Sequence, residues 1–348
     1  MADCQSDSNE TKDDLVVQHY SVLKETHHSD RSKSKIFHLR SFNNWIKTVL
    51  ISECVKRRNI DKHSRVLDFG CGKGGDVTKW RRMKPQRLAF LDFCEIALQQ
   101  CKERYEKVNQ STSSGSNGKS LDDTCETSFH VLNVCDDLRS EFEQGEFNII
   151  SCQFVVHYIF NCFDNVKAFL RNVSYLLKPG GLFFGTTTDC FELVRRWDIE
   201  RTRNPNSTII DNGVYSIDFS RLTFPPKLFG AEIDFKLDEL INCPEYLIYF
   251  PAFKRIAEDF NLDLIYCKNF KDFFTENCKK QRHLLSIMEA LKPYPLDEPH
   301  DNSNLSYEHA RIVYNKMNKA GSRLGTLSKE EWEAATIYVC FIFKRRQG

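Results

Sequence analysis

No apolar run in the chain approaches the roughly 18 residues that a membrane-spanning helix needs. The first residues, Met1-Ala-Asp-Cys-Gln-Ser-Asp7, lack the hydrophobic core of a secretory signal. An excess of one charge is missing too: 49 Lys and Arg stand against 48 Asp and Glu, a formal net charge of +1. That excludes a protein basic over its whole surface, although a local basic cleft would vanish in the sum. Fourteen cysteines are scattered singly with no C-x-x-C spacing, which argues against a zinc ribbon or a dithiol redox pair. They read as free thiols, among them small buried hydrophobes at Cys101, Cys152 and Cys340. What remains is 348 residues with 41% apolar and 28% charged content, the profile of a globular chain that stays out of the membrane.

Residues 1–14 read as a polar, disordered tail, and 15–348 as one domain. A basic stretch over 15–40 leads into an amphipathic helix over 43–58, with Trp45, Ile46, Val49, Leu50 and Val55 at helical spacing. The apolar period then switches repeatedly. Strands are expected at 65–69, 87–92, 129–134, 147–153 and 182–186, and helices at 74–82, 95–108 and 165–177. Residues 110–119 read as a surface loop, and Lys178-Pro-Gly-Gly181 as a helix stop and turn. This alternation implies a mostly parallel, doubly wound α/β sheet. Further strands are expected at 213–219 and 230–236, with 262–268 and 334–343 able to complete the sheet edge.

The strongest local signal is Val66-Leu-Asp-Phe-Gly-Cys-Gly-Lys-Gly-Gly-Asp76, a strand running into glycines with a helix behind them. Gly70, Gly72 and Gly75 satisfy G-x-G-x-x-G, which alone would admit a dinucleotide and hence an oxidoreductase. The flanking charge decides against that. Asp68, two residues before the first glycine, disfavours a pyrophosphate but suits a ligand with an ammonium and a sulfonium. S-adenosylmethionine has both groups and no phosphate, and Asp92, at the end of the second strand, stands where an acid would meet its ribose hydroxyls. The plainer readings are strand-end capping for Asp68 and a helix N-cap for Asp92.

Longer motifs carry a family resemblance. Ile36-Phe-His-Leu-Arg-Ser-Phe-Asn-Asn-Trp-Ile-Lys47, the glycine loop, Ser151-Cys-Gln-Phe-Val-Val-His-Tyr158, Phe191-Glu-Leu-Val-Arg-Arg196, Pro244-Glu-Tyr-Leu-Ile-Tyr-Phe-Pro251, Leu324-Gly-Thr-Leu-Ser328 and Glu331-Trp-Glu-Ala334 occur in that order. Together they resemble the eukaryotic mRNA cap guanine-N7 methyltransferases over residues 17–343. The resemblance implies a Rossmann-like class I fold: a mostly parallel seven-stranded sheet with helices on both faces, cap-side insertions near 200–240 and a helical lobe near 285–325. It implies S-adenosylmethionine as cofactor and a capped RNA end as substrate. A nuclear location and contacts with an activating subunit, the capping apparatus or RNA polymerase II follow from the family alone.

Position by position, the resemblance implies that Lys47, Gly70, Asp92, Gln153 and Tyr158 contact the cofactor. Asp136, after a one-residue shift, matches an acid at the adenine edge. Asn43 and Asn44 match the family's cap contact and Lys73, Lys79 and Arg104 its basic residues on the cap side, while His157, Glu245 and Tyr338 match the guanine's neighbours. No nucleophile–base pair stands out in the sequence. That suits N7, whose in-plane lone pair carries no proton, so catalysis would come from positioning and electrostatics. Two competing readings are a catalytically silent cap-binding module and a methyltransferase of another substrate.

Overall fold

The computed structural model describes residues 34–113, 125–238, 240–296, 305–317 and 323–347. The expected tail at 1–14 and part of the expected loop at 110–119 lie outside them. Among the described residues no helix is long and apolar enough to cross a membrane.

Near-continuous apolar runs make the central strands buried on both faces, as a parallel sheet requires, while the two edge strands are only partly buried. The strands are β1 (Arg65–Phe69), β2 (Arg87–Asp92), β3 (Glu126–Val131), β4 (Phe147–Gln153), β5 (Leu177–Thr188), and, much later in the chain, β10 (Leu262–Asn269) and β13 (Tyr338–Arg345). The sheet order is β10-β13-β5-β4-β1-β2-β3, parallel except for β13, which runs antiparallel to both neighbours. This is the mostly parallel seven-stranded Rossmann-like sheet anticipated from the sequence, and 262–268 does complete its edge. Successive strands step outward in opposite directions from β1 and β4, so the crevice at their carboxyl ends is the switch point where open α/β sheets bind ligands.

Helix α1 (Phe37–Arg58) covers one face by burying Leu39, Phe42, Trp45, Ile46, Val49 and Leu50. It begins six residues earlier than expected because the apolar stripe continues through the basic stretch. Phe42 and Trp45 pack with Phe274 and Trp332, which ties α1 to α7 (Phe270–Asn277) and α10 (Lys329–Ala335). Helices α2 (Val77–Met83) and α3 (Glu95–Ser113) follow β1 and β2. The opposite face is covered by α4 (Phe163–Leu176) and α6 (Phe250–Asp259), whose Phe169 and Phe253 pack against Phe183, Phe341 and Phe343.

Several boundaries depart from the sequence reading. Residues 110–113 continue α3 instead of forming a loop, and β3 lies three residues earlier than expected. The Lys178-Pro-Gly-Gly181 turn is absorbed into the start of β5 as a ladder irregularity, with Gly180 at φ +73°. Residues 334 and 335 belong to α10, started by a Ser328–Glu331 capping box, so the last strand begins only at Tyr338. The strands expected at 213–219 and 230–236 leave the main sheet. They appear as β7 (Tyr215–Asp218) and β8 (Glu232–Leu237) of a separate antiparallel sheet, flanked by β6 (Ile209–Asp211) and β9 (Ile241–Tyr246). Helix α5 (Cys190–Arg203) leads into it. The lobe expected to be helical contains α8 (Arg282–Ile287) and α9 (Glu308–Lys316) but also a two-stranded ladder, β11 (Lys292–Tyr294) with β12 (Leu324–Thr326).

The central ladder is tight enough to forbid a methyl group at one point. A Cβ on Gly185 would lie 1.9 Å from the Cys152 carbonyl oxygen on β4, and neither backbone can retreat. Gly185→Ala is therefore expected to destabilise the fold by about 3 kcal/mol or more. Guanidinium unfolding checks this; a change under about 0.5 kcal/mol would refute the steric account.

Candidate active site

The glycine loop leaves β1 with Gly70, Gly72 and Gly74 all at positive φ. Gly70 is also closely overlain, since a Cβ there would meet a Val155 methyl at 2.4 Å. The loop is latched from β2: the Gly72 N–H donates to Asp92 Oδ2 at 2.7 Å, and Asp92 Oδ1 accepts from the Cys94 N–H at 2.9 Å. Asp92 thus closes a turn just ahead of α3, whose first turn accepts at Cys94, instead of capping the helix itself, and it lines the cavity. Burial raises its carboxyl, against the two backbone N–H groups.

Asp68 is buried and accepts from the Trp80 indole N–H at 2.9 Å, which anchors α2 behind the loop. Burial, with the Asp76 charge adding to it, pushes its carboxyl up to about 7. Asp76 behaves oppositely. Burial alone would raise it, but Lys47 Nζ at 2.9 Å and Lys79 Nζ at 2.6 Å hold it well below the usual carboxylate range. Lys79 Nζ also donates to Asn44 Oδ1 at 2.5 Å. Asn44 and Lys47 from α1 and Lys79 from α2 are therefore joined through one carboxylate. Lys73 precedes α2 in the loop, and Arg104 on α3 donates to the Gly74 carbonyl at 3.4 Å.

Below the loop lies a cavity of about 270 Å³. Gly70, Asp92, Lys47, Gln153 and Tyr158 line it together with Asp68, Asp76 and the apolar Phe93, Val134 and Ile159. Gln153 is fixed by Ser151 Oγ and Thr186 Oγ1, both at 3.1 Å. Asp136, expected at the adenine edge, does not line the cavity. Because β3 ends at Val131, the following loop turns on itself, and the exposed Asp136 carboxylate accepts from the Asn133 N–H at 3.2 Å. Asn133 and Cys135 face the cavity instead. Three carboxylates line this space, while its lysine, Lys47, is paired with one of them. An apolar wall with excess buried acid suits an adenosine carrying an ammonium and a sulfonium.

A second set of polar groups adjoins the cavity. Alternation along β9 turns Pro244 and Tyr246 toward the cavity and Glu245 away from it, where the carboxyl is only 1% exposed. Glu245 Oε1 lies 3.5 Å from His157 Nε2, and His157 Nδ1 lies 3.3 Å from Thr187 Oγ1. Burial pushes the imidazole down to about 3 and the carboxyl up to about 8, each toward its uncharged form. Glu245 Oε2, Thr188 Oγ1 and Asn43 Oδ1 are buried without a hydrogen-bond partner. Tyr338 sits opposite Thr188 at the start of β13, its ring edge-on to Phe154 at 5.0 Å.

Phe154 was not singled out by the sequence, where an aromatic after a strand reads as core. Its distinguishing feature is a backbone one: a non-glycine residue at φ +60°, held by a 2.9 Å bond from its N–H to the Thr186 carbonyl. It lines the cavity and touches Tyr338, so it stands between the two polar sets.

The fold, the glycine loop and the acid-lined cavity at the switch point define a Rossmann-like methyltransferase. Residues 3–346 match the model of the mRNA (guanine-N(7))-methyltransferase domain, and the chain belongs to that family. Its relatives include the mRNA cap guanine-N(7) methyltransferases of Drosophila melanogaster (36% identical over 341 residues, 95% of this chain and 77% of that protein) and Caenorhabditis elegans (32% over 343 residues, 96% and 87%). The mRNA cap guanine-N(7) methyltransferase 1 of Oryza sativa is 32% identical over 344 residues, covering 95% of this chain and 81% of that protein. Among solved structures, a S-adenosylmethionine-dependent methyltransferase from Clostridium acetobutylicum aligns at TM-score 0.46 and 13% identity, covering 88% of this chain and 92% of that one. The activity of the chain is methylation of the cap guanine at N7, with S-adenosylmethionine as methyl donor and capped RNA as substrate.

The buried Glu245 has a measurable consequence for stability. A carboxyl whose folded pKa exceeds its unfolded value favours folding at low pH, and that advantage is lost as pH rises from about 4.5 to about 8. Glu245→Gln keeps the shape and removes the titration. Relative to the variant, the wild type should lose a few kcal/mol, of order 5, across that window. Parallel stability–pH curves for the two proteins would refute this.

Proposed function

We propose that the two polar sets divide the reaction between them, with the cavity holding the methyl donor and the Glu245–His157–Tyr338 set holding the guanine. The observation that carries this reading is the buried, unpartnered Glu245 Oε2 beside a separate acid-lined cavity. An unsatisfied buried carboxyl oxygen is costly in the free protein and becomes useful when a donor edge arrives. Guanine presents such an edge in its N1–H and N2 amino group. Bound in the cavity, S-adenosylmethionine supplies an electrophilic methyl group on a positively charged sulfur.

On the cofactor side Asp92 accepts from the ribose hydroxyls, Gly70 lets the backbone approach, and Gln153 and Tyr158 wall the adenosine. Lys47 reaches the same ligand from α1. On the cap side Asn43 and Asn44 meet the sugar, while Lys73, Lys79 and Arg104 face the triphosphate. Phe154 and Tyr338 confine the base so that N7 points at the methyl group. N7 carries no proton, so no side chain acts as acid or base. The two guanine donors favour the ionised form of Glu245, whose negative charge favours the cation that methylation creates in the base, while His157 packs beside Oε1 of the same carboxyl. Orientation alone accounts for roughly 7–11 kcal/mol in well-positioned reactions. A silent cap-binding module is disfavoured by the complete, latched glycine loop.

Incubation with GpppA-capped RNA and labelled S-adenosylmethionine tests the reading. Label is expected at guanine N7. Glu245→Ala is expected to lose turnover by 100-fold or more (about 3 kcal/mol) while binding the cofactor normally. Asp92→Ala is expected to weaken cofactor binding by about 10- to 100-fold. Wild-type turnover in the first variant, or unchanged cofactor affinity in the second, would sink the corresponding role.

A nuclear location, with contacts to an activating subunit or the transcription machinery, is proposed from the family resemblance of the sequence. A fluorescent fusion is expected to concentrate in nuclei, and exclusion from them would overturn the placement.

A further inference from the structure

The run Phe191-Glu-Leu-Val-Arg-Arg196 lies outside both polar sets, yet the Arg196 guanidinium hydrogen-bonds to four other residues. Arg196 sits on α5 with its side chain 13% exposed. Its Nε donates to Glu192 Oε1 at 2.7 Å, one turn earlier on the same helix. Nη1 donates to the Tyr215 hydroxyl on β7 at 2.8 Å and to the Glu333 carbonyl in α10 at 2.7 Å. Nη2 donates to Thr336 Oγ1 at 2.9 Å, in the turn between α10 and β13. One guanidinium thus joins three elements that are distant in sequence.

What those elements carry gives the contacts their meaning. Thr336 is two residues before Tyr338, and the intervening Ile337 carbonyl accepts from the Asp189 N–H at 2.7 Å, just beyond Thr188 on β5. Tyr215 belongs to the inserted sheet, whose ladder runs from β7 through β8 to β9, where Glu245 lies opposite Ile233. A parallel tie comes from Asn212, whose amide donates to the Glu330 carbonyl at 3.1 Å and to Glu333 Oε2 at 3.0 Å. Tyr338 hangs from the main sheet and Glu245 from the insertion, and Arg196 spans the seam between their supports. Its ties reach none of the residues that latch the glycine loop.

We propose that Arg196 is a positioning residue for guanine recognition, holding the turn that carries Tyr338 and the sheet that carries Glu245 in one fixed relation. This rests on the reading of Glu245 and Tyr338 as the guanine's partners. The planar fork of an arginine serves three directions at once, whereas a lysine ammonium has three donors on a flexible stem and cannot reproduce that geometry. A loosened seam lets the two groups part by a fraction of an ångström to an ångström, which is enough to spoil a bidentate contact while leaving the cofactor cavity intact.

The test compares Arg196→Lys, Tyr215→Phe and Glu245→Gln with the wild type on GpppA- and inosine-capped RNA; inosine lacks the N2 amino group. Arg196→Lys is expected to raise the KM for the guanosine cap about 10-fold or more, with cofactor Kd within about twofold. The guanosine-over-inosine preference in kcat/KM should fall at least about threefold, a readout that mere loss of folded protein does not move. Tyr215→Phe should shift both quantities in the same direction by less, and it carries the test if the lysine variant does not fold. A lowered melting temperature with unchanged cap KM and unchanged preference would overturn the proposal, as would a parallel loss of cofactor affinity. If Glu245→Gln lowers the preference but neither seam variant does, the role of Arg196 alone fails. If Glu245→Gln leaves it unchanged, the guanine assignment fails and the Arg196 proposal falls with it.

Discussion

Asp76 holds two ammonium groups at once, and the arrangement of the site depends on it. Lys47 comes from the long first helix, Lys79 from the short helix behind the glycine loop, and both end on one buried carboxylate. Removing one partner of such a group is costly because the remaining charge stays desolvated, so the triad fixes geometry more than it adds stability. The geometry it fixes is the placement of α1 over the switch-point crevice. That helix carries Asn43 and Asn44 beside Lys47, so the elements bounding the cofactor cavity and the cap side share one anchor. Lys79 is drawn to Asn44 and Asp76 together, which sets its ammonium at the boundary between the two.

The acids divide according to what surrounds them. Asp76 is charged because cations face it; Asp68 and Glu245 are driven toward neutrality because burial dominates. A cavity lined by three ionised carboxylates would repel itself. One firmly ionised acid, one poised near neutrality and one hydrogen-bonded by backbone N–H groups at Asp92 avoid that cost while still favouring a cationic ligand. The near-zero net charge of the chain fits this economy, since a terminus reader needs its cations in one place only.

Much of this was legible in the sequence, for physical reasons. Parallel strands buried on both faces leave apolar runs that cannot hide, so a mostly parallel main sheet followed from alternation and spacing. The glycine loop and Asp92 were readable because positive φ and a latching carboxylate restrict the residue types allowed. Strand ends were less readable. β3 slid by three residues because Cys125 to Val131 is only half-buried at the sheet edge, and with it Asp136 left the cavity. The start of β13 was misplaced because Ala334 and Ala335 suit an apolar strand as well as a helix, and the capping box at Ser328 settles the matter in favour of the helix. Phe154 stayed hidden because its signal is a backbone angle.

The inserted sheet explains why guanine recognition was harder to see than cofactor binding. Its cofactor-side residues lie on the main sheet and its flanking helices, close to elements whose pattern is strong. Glu245 reaches its place only because an antiparallel ladder of short strands, each weak in sequence, is docked against α5 and α10. Strand alternation then turns a single acid away from the cavity that its two neighbours line. The same docking buries Glu245 against a neutral imidazole, which is unfavourable for the isolated fold and favourable for a ligand that brings two N–H donors. Stability is lost at the position where the substrate restores it, and this links the least regular part of the chain to its specificity.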